Sequence, residues 1–196
     1  MVNLAIFDYG AGNIFSLKNS LEKIGATVDV ITSFEKPNIY SGLLLPGVGN
    51  FDPAIKSICK SKTDFNDYVK DNTPVLGICL GMEMFFEKSE EGNEKGLGVI
   101  KGDVIILPPS MKVPHMGWNN LEIKKPGKIL EGVNDSAWVY FVHSYRVKPT
   151  DNDIITDNEI PTYHDTITDH DINTDDNITT ENNITTENNI ITNNDI

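Results

Sequence analysis

The chain has 196 residues, with 16 Lys and Arg against 29 Asp and Glu, a formal charge of −13, and two cysteines, Cys59 and Cys79. That length allows one α/β domain with a full core and is short for two, and two cysteines are too few for the disulfide framework of a small secreted domain, so both read as free thiols. No apolar stretch reaches the roughly 20 residues needed to cross a bilayer, and "MVNLAIFDYG" lacks a basic start followed by a long apolar run, so the expectation is a soluble, cytoplasmic protein.

The negative charge is concentrated at one end. From Pro149 onward there are twelve Asp or Glu and no Lys or Arg, which leaves 17 acidic against 16 basic residues in the body, a net of −1. A near-neutral body argues against binding a nucleic-acid backbone and leaves a small phosphorylated ligand open.

In chain order, "NLAIFDYG" reads as a buried first strand entering a loop. Asn13 is the N-cap of a helix in which Ile14, Leu17, Leu21 and Ile24 recur at helical spacing until Gly25 stops it. "TVDVIT" and "GLLLPG" are the second and third strands, "AIKSICKS" and "DFNDYVK" are helical, and "PVLGIC" is a fourth strand entering the helix "LGMEMFFEK". Apolar strands alternating with helices predict a mostly parallel sheet with helices on both faces, whose function sits at the carboxyl ends of the strands. After Gly96 come closely spaced strand-like segments, "LGVI", "GDVIILP", "HMGWNNLEI" and "AWVYFVHSYRV", which predict a β-rich extension. The domain is expected to span residues 1–148. Residues 149–196 form an acidic Asn, Asp, Thr and Ile-rich low-complexity tail with a hexapeptide repeat over 177–194, read as disordered, with a β-helical coil as the alternative. The N-x-T sequons at Asn177 and Asn183 are read as accidental.

Three stretches carry chemistry. Gly77-Ile78-Cys79-Leu80-Gly81, between a strand and a helix, has the pattern of a nucleophile elbow: the glycines permit the tight backbone, a helix N-terminus favours the thiolate, and the Leu80 amide faces a developing oxyanion. The alternative is a buried structural cysteine, the reading given to Cys59 in its helical stretch. Pro46-Gly47-Val48-Gly49 ends strand three and adds backbone N–H groups to the elbow if strands three and four are neighbours. "VPHMGWNN" and "YFVHSYRV" place His115, Trp118, His143, Ser144 and Tyr145 at strand ends, and structural histidines remain the alternative there. No cluster has the ligand spacing of a zinc or calcium site.

With "DYGAGN", "PGVGNF", "GICLGME", "KGLGVIKG", "PHMGWN" and "FVHSYR" in this order, residues 1–148 resemble the class I glutamine amidotransferases, most closely the glutaminase subunits of imidazole glycerol phosphate synthase in histidine biosynthesis. The resemblance implies a flavodoxin-like domain that hydrolyses glutamine to glutamate and passes ammonia to a (β/α)8-barrel cyclase in a heterodimer, without metal or organic cofactor. It also implies Cys79 as the nucleophile that forms a glutamyl thioester, amides at Gly47, Val48, Gly49 and Leu80 as the oxyanion site, and Glu83, His143, Ser144 and Tyr145 as residues lining the glutamine site. Two departures stand out. Glu83 replaces a glutamine usual in the family, keeping acceptors and losing two amide donors. The family's "QFHPEKS"-like block, which supplies the base His and its orienting Glu, has no match after Lys148: His164 and His170 are not followed by Pro-Glu, and His170-Asp171 is a poor surrogate because an adjacent residue cannot orient the ring as one two positions along a strand does. The base and its carboxylate are therefore assigned to no residue. A non-catalytic homologue that only docks on the cyclase, and another elbow-cysteine hydrolase of the same fold class, remain the alternative readings.

Overall fold

The computed structural model describes residues 2–34, 39–60, 65, 73–123, 128–134, 136–150 and 156–157. Strand β1 (Asn3–Phe7) leads to helix α1 (Ile14–Lys23), then β2 (Thr27–Ile31), β3 (Gly42–Leu45), α2 (Phe51–Cys59) and β4 (Val75–Gly77). These four strands form a parallel sheet in the order β2-β1-β3-β4. Chain order reverses between β1 and β3, and at such a switch point the outgoing loops diverge and leave a crevice at the carboxyl edge.

Both faces are covered, as the apolar runs predict. On one face Ala5, Phe7, Leu43, Leu45 and Val75 join Phe51, Ala54, Ile55 and Ile58 of α2 in the main core. On the other, Ile6, Val28 and Leu44 lie beneath Ile14, Leu17 and Leu21 of α1. Asn13 caps α1 by accepting the Ser16 N–H at 3.2 Å, so the cap is the one the sequence indicates.

The helix expected over "LGMEMFFEK" is a correction. Only Leu80–Glu83 (α3) is helical, and the chain then turns into β5 (Lys88–Ser89). A returning loop takes the carbonyls that a continuing helix would use: Leu97 N–H donates to Met84 O, Gly98 N–H to Phe86 O, and Val99 N–H to Phe85 O. The same bonds explain why "LGVI" is not a strand, since its amides serve this turn rather than a ladder. Cys59 is a second correction. Residues 51, 54, 55 and 58 of α2 face inward, and this spacing leaves Cys59 exposed rather than packed.

The β-rich part comprises β6 (Gly102–Ile106), β7 (His115–Asn120), β8 (Glu122–Ile123), β9 (Trp138–His143), β10 (Tyr145–Pro149) and β11 (Thr156–Asp157). β10 pairs antiparallel with β6, β11 with β8, and β7 with β9 in a two-stranded ribbon. "AWVYFVHSYRV" is thus two strands that bend at Ser144. The predicted helix "DFNDYVK" (apart from Phe65), His164, His170 and the hexapeptide repeat lie outside the described residues. No helix among the described residues is long and apolar enough to cross a membrane.

Candidate active site

The sheet register brings the two predicted turns together. Leu44 pairs with Leu76 and Leu45 with Gly77, and the Ile78 N–H donates to Leu45 O at 2.9 Å, so Pro46-Gly47-Val48-Gly49 leaves β3 directly beside the elbow that leaves β4. A β-carbon on Gly47 would strike the Ile78 carbonyl and lie 2.5 Å from the Leu80 nitrogen. One on Gly81 would strike the Leu45 carbonyl. The glycines are therefore needed where two backbones touch, which is how the Gly47 turn and the Leu80 amide come to face the same space.

Cys79 has φ 52° and ψ −115°, a left-handed conformation that a residue with a β-carbon rarely adopts. It persists because the Met82 and Glu83 amides both donate to Cys79 O and the Gly81 amide donates to Ile78 O, turning the chain sharply into α3. The sharp turn projects the thiol from the end of the sheet. A helix of one turn offers less of a macrodipole than the longer helix expected from sequence. Removing the β-carbon should release the strain: Cys79→Gly is expected to raise stability to urea by about 1 kcal/mol, whereas Cys79→Ala, which keeps the β-carbon, should not. Equilibrium unfolding of the two variants decides this, and equal stabilities would show the elbow to be unstrained.

Cys79, Gly47, Val48, Gly49, Leu80, Glu83, His143, Ser144 and Tyr145 all line one cleft of about 440 Å³. Every residue that the resemblance assigns to the site is therefore at one place, whereas His115 and Trp118 do not line it. His115, at the start of β7, pairs in register with His143, at the end of β9, and the two rings meet edge to face at 5.3 Å. Trp118 is 45% exposed and stands outside the cleft, against Tyr140.

Sequence reasoning missed three lining residues, Glu91, Pro114 and Val142. Glu91 is brought in by tertiary structure: its Oε2 accepts the Phe51 N–H at 3.0 Å, capping α2 from 40 residues away. Asp52 of the same helix returns the connection by accepting the Asn93 and Glu94 amides at 2.9 and 3.0 Å. Two carboxylates thus clamp the loop that carries Glu91, and nothing local in "SEEGNEKG" signals that.

The electrostatics follow from burial beside carboxylates. Glu83 is buried and Glu91 half-buried, and among the described residues no Lys or Arg lines the cleft. Burial holds the Glu91 carboxyl above the usual carboxylate range, with the Phe51 amide acting against it and Asp52 adding to it. Tyr145 is held up by burial and by Glu91, Glu83 and Glu90. His143 is lowered to about 4, chiefly by burial, with the Tyr145 carbonyl opposing and His115 assisting. Its Nδ1 lies 2.9 Å from the Tyr145 carbonyl, which only accepts, so Nδ1 carries the hydrogen of the neutral ring. The cleft offers a thiol, backbone donors and two carboxyl groups, which suits a carbonyl electrophile that also carries hydrogen-bond donors. No group of His, Cys, Asp and Glu among the described residues is placed to hold a metal ion.

A family model described as glutamine amidotransferase class-I matches residues 5–181. The chain is 42% identical over 158 residues to the imidazole glycerol phosphate synthase subunit HisH of Prochlorococcus marinus, covering 78% of this chain and 74% of that one. It is also 42% identical over 154 residues to the subunit of the same name from Aquifex aeolicus, covering 76% and 74%. Among solved structures, PurLQS from Thermotoga maritima superposes with a TM-score of 0.65 at 14% identity, covering 82% of this chain and 76% of that one. A crystal structure described as a glutamine amidotransferase superposes at 0.63 with 16% identity, covering 79% of each. These two likenesses show the shared fold, a flavodoxin-like mostly parallel sheet with helices, and the sequence matches carry the kinship. The chain belongs to the class-I glutamine amidotransferase family.

Proposed function

We propose that this chain is the glutaminase subunit of an imidazole glycerol phosphate synthase, serving histidine biosynthesis from the cytoplasm. The observation that carries the chemistry is the meeting of the Gly47 turn with the Cys79 elbow in one cleft at the carboxyl ends of β3 and β4. Glutamine enters with its α-ammonium toward Glu83 and Glu91 and its carboxamide at Cys79. The thiolate attacks the carboxamide carbon, and the Leu80 amide with those of Gly47 to Gly49 stabilises the oxyanion. The proton that the thiol gives up is delivered to the departing nitrogen, so collapse of the tetrahedral adduct expels ammonia and leaves a glutamyl thioester, which water hydrolyses to glutamate and the free thiol. His143, Ser144 and Tyr145 wall the glutamine site, and the base and its orienting carboxylate are assigned to no residue of this chain. No metal or organic cofactor enters these steps.

A partner is supported by the surface beside the cleft. On the β7–β9 ribbon, Met116, Trp118 and Asn120 pair with Val142, Tyr140 and Trp138 and so share one face, while Phe141 and His143 point inward. Met116 is 60% exposed, Trp138 59%, and Val48 of the oxyanion turn 64%. Exposed Met and Trp beside a reactive cleft have the composition of an interface core. A (β/α)8-barrel cyclase seated there would form the heterodimer and receive ammonia at the cleft mouth.

A second reading, a homologue that docks without turning over, is favoured by one specific observation: neither His164 nor His170 is followed by Pro-Glu. Glutamate release from glutamine, measured with a cyclase barrel subunit and its nucleotide ligand, separates the two. Release above a control without this chain is expected; none from a folded, barrel-bound sample would establish the second reading.

A further inference from the structure

Helix α2 starts from an anchor outside its own sequence. Its N-cap residue Asn50 makes no side-chain cap bond, and the first helical amide, Phe51 N–H, donates instead to Glu91 Oε2 at 3.0 Å. Phe51 follows Gly49 by two residues, so this cap holds the end of the oxyanion turn, and the carboxylate that makes it also lines the cleft. Asp52, the next residue of α2, holds the loop that carries Glu91. Its Oδ1 accepts the Asn93 N–H at 2.9 Å and the Glu94 N–H at 3.0 Å. A β-carbon on Gly92 would strike the same carboxylate, so the loop backbone passes directly against it. On the other flank Ser89 Oγ accepts the Glu91 N–H at 3.1 Å, and an exposed Lys56–Glu94 pair at 3.2 Å adds little. The Glu94 and Asn93 amides hold the Asp52 carboxyl below its usual range, so at neutral pH it is an ionised acceptor, which makes these bonds strong ones.

We propose that Asp52 is a positioning residue for the glutamine site: by clamping the loop to the first turn of α2, it fixes where the Glu91 carboxylate stands relative to the oxyanion turn. Asp52 itself does not line the cleft and acts through Glu91. This rests on the reading in which the amino end of glutamine meets Glu91. A glutamine held at two points, by its donors at Glu91 and by its carbonyl oxygen at the turn, stands over Cys79 only while those points keep their spacing. In a positioned reaction a misplacement of about 1 Å costs on the order of 10²-fold. Both points hang on residues 49–52, so the spacing is set by a short run of chain and one helical turn. A small electrophile without an amino end has no use for that spacing.

Two electrophiles separate positioning from a merely structural role, in a Cys59→Ser background so that one thiol is scored. A glutamine-analogue chloroketone carries the amino end, and iodoacetamide does not. Asp52→Ala is expected to slow alkylation of Cys79 by the chloroketone about tenfold and to leave the iodoacetamide rate within about twofold. Asp52→Asn keeps an Oδ1 acceptor for both amides and should recover part of the loss. In a Glu91→Ala background, Asp52→Ala should add less than about twofold, because its effect passes through that carboxylate. An unchanged chloroketone rate in Asp52→Ala overturns the proposal. So does an equal fall for both reagents, which would place the effect on the elbow or the fold, and so does a comparable further fall when Glu91 is already gone. Each of these leaves the glutaminase reading standing as long as excess glutamine protects Cys79 of the parent from the chloroketone. A parent that glutamine does not protect overturns that reading and this one together.

Discussion

Gly81→Ala is expected to cost the fold about 3 kcal/mol, near the upper end of what overpacking a close contact does. The added carbon would occupy the position of the Leu45 carbonyl, which is backbone and cannot swing aside as a side chain would. That carbonyl also accepts the Ile78 N–H, so moving it breaks the bond that holds β4 against β3 at the elbow. In a chain of this size the loss corresponds to a fall in Tm of about 6–12 °C. Gly117→Ala is the control: a β-carbon there meets nothing within 4 Å, and its stability should stay within about 0.5 kcal/mol of the parent. Urea unfolding of the two variants decides the matter. A loss below about 1 kcal/mol for Gly81→Ala would mean that the strands and the elbow are not in backbone contact, and the oxyanion site would lose its geometric basis.

Cys79→Ala is expected to reduce glutamate release by more than about 10³-fold, to the level of a control without the chain, while the thermal midpoint stays near that of the parent. The variant keeps the β-carbon, the φ of the elbow and the walls of the cleft, so glutamine should still bind. A fall in kcat with KM little changed would place the loss in the covalent step. Retention of release would move the nucleophile elsewhere in the cleft, where Ser144 is the remaining hydroxyl on a short side chain.

Much of this site was legible in the sequence because it is encoded in spacing. Gly77-Ile78-Cys79-Leu80-Gly81 fixes a strand-to-helix turn within five residues, and alternating apolar runs fix a parallel sheet, so the spacing alone puts the elbow at a carboxyl strand end. The partnership of the elbow with Pro46-Gly47-Val48-Gly49 was conditional on β3 and β4 being neighbours, which is a fact of topology that the register supplies. Glu91 is not legible as a site residue, because it reaches the cleft through a bond to an amide 40 residues away. The short α3 was missed for a related reason: "LGMEMFFEK" has good helical composition, but a loop more than ten residues later takes its carbonyls. Cys59 shows the reverse failure, since an apolar-looking helical stretch does not say which rim position stays outside.

The most direct measurement for the central claim is intact-mass and peptide mapping of the chain after incubation with a glutamine-analogue chloroketone, with Cys59 as the internal competitor. A single adduct on the Cys79 peptide, suppressed by excess glutamine and absent from Cys79→Ala, is the predicted result. Labelling of the exposed Cys59 alone, or no labelling of a folded sample, would contradict the account, because a cleft built to bring glutamine to Cys79 must direct the electrophile there first.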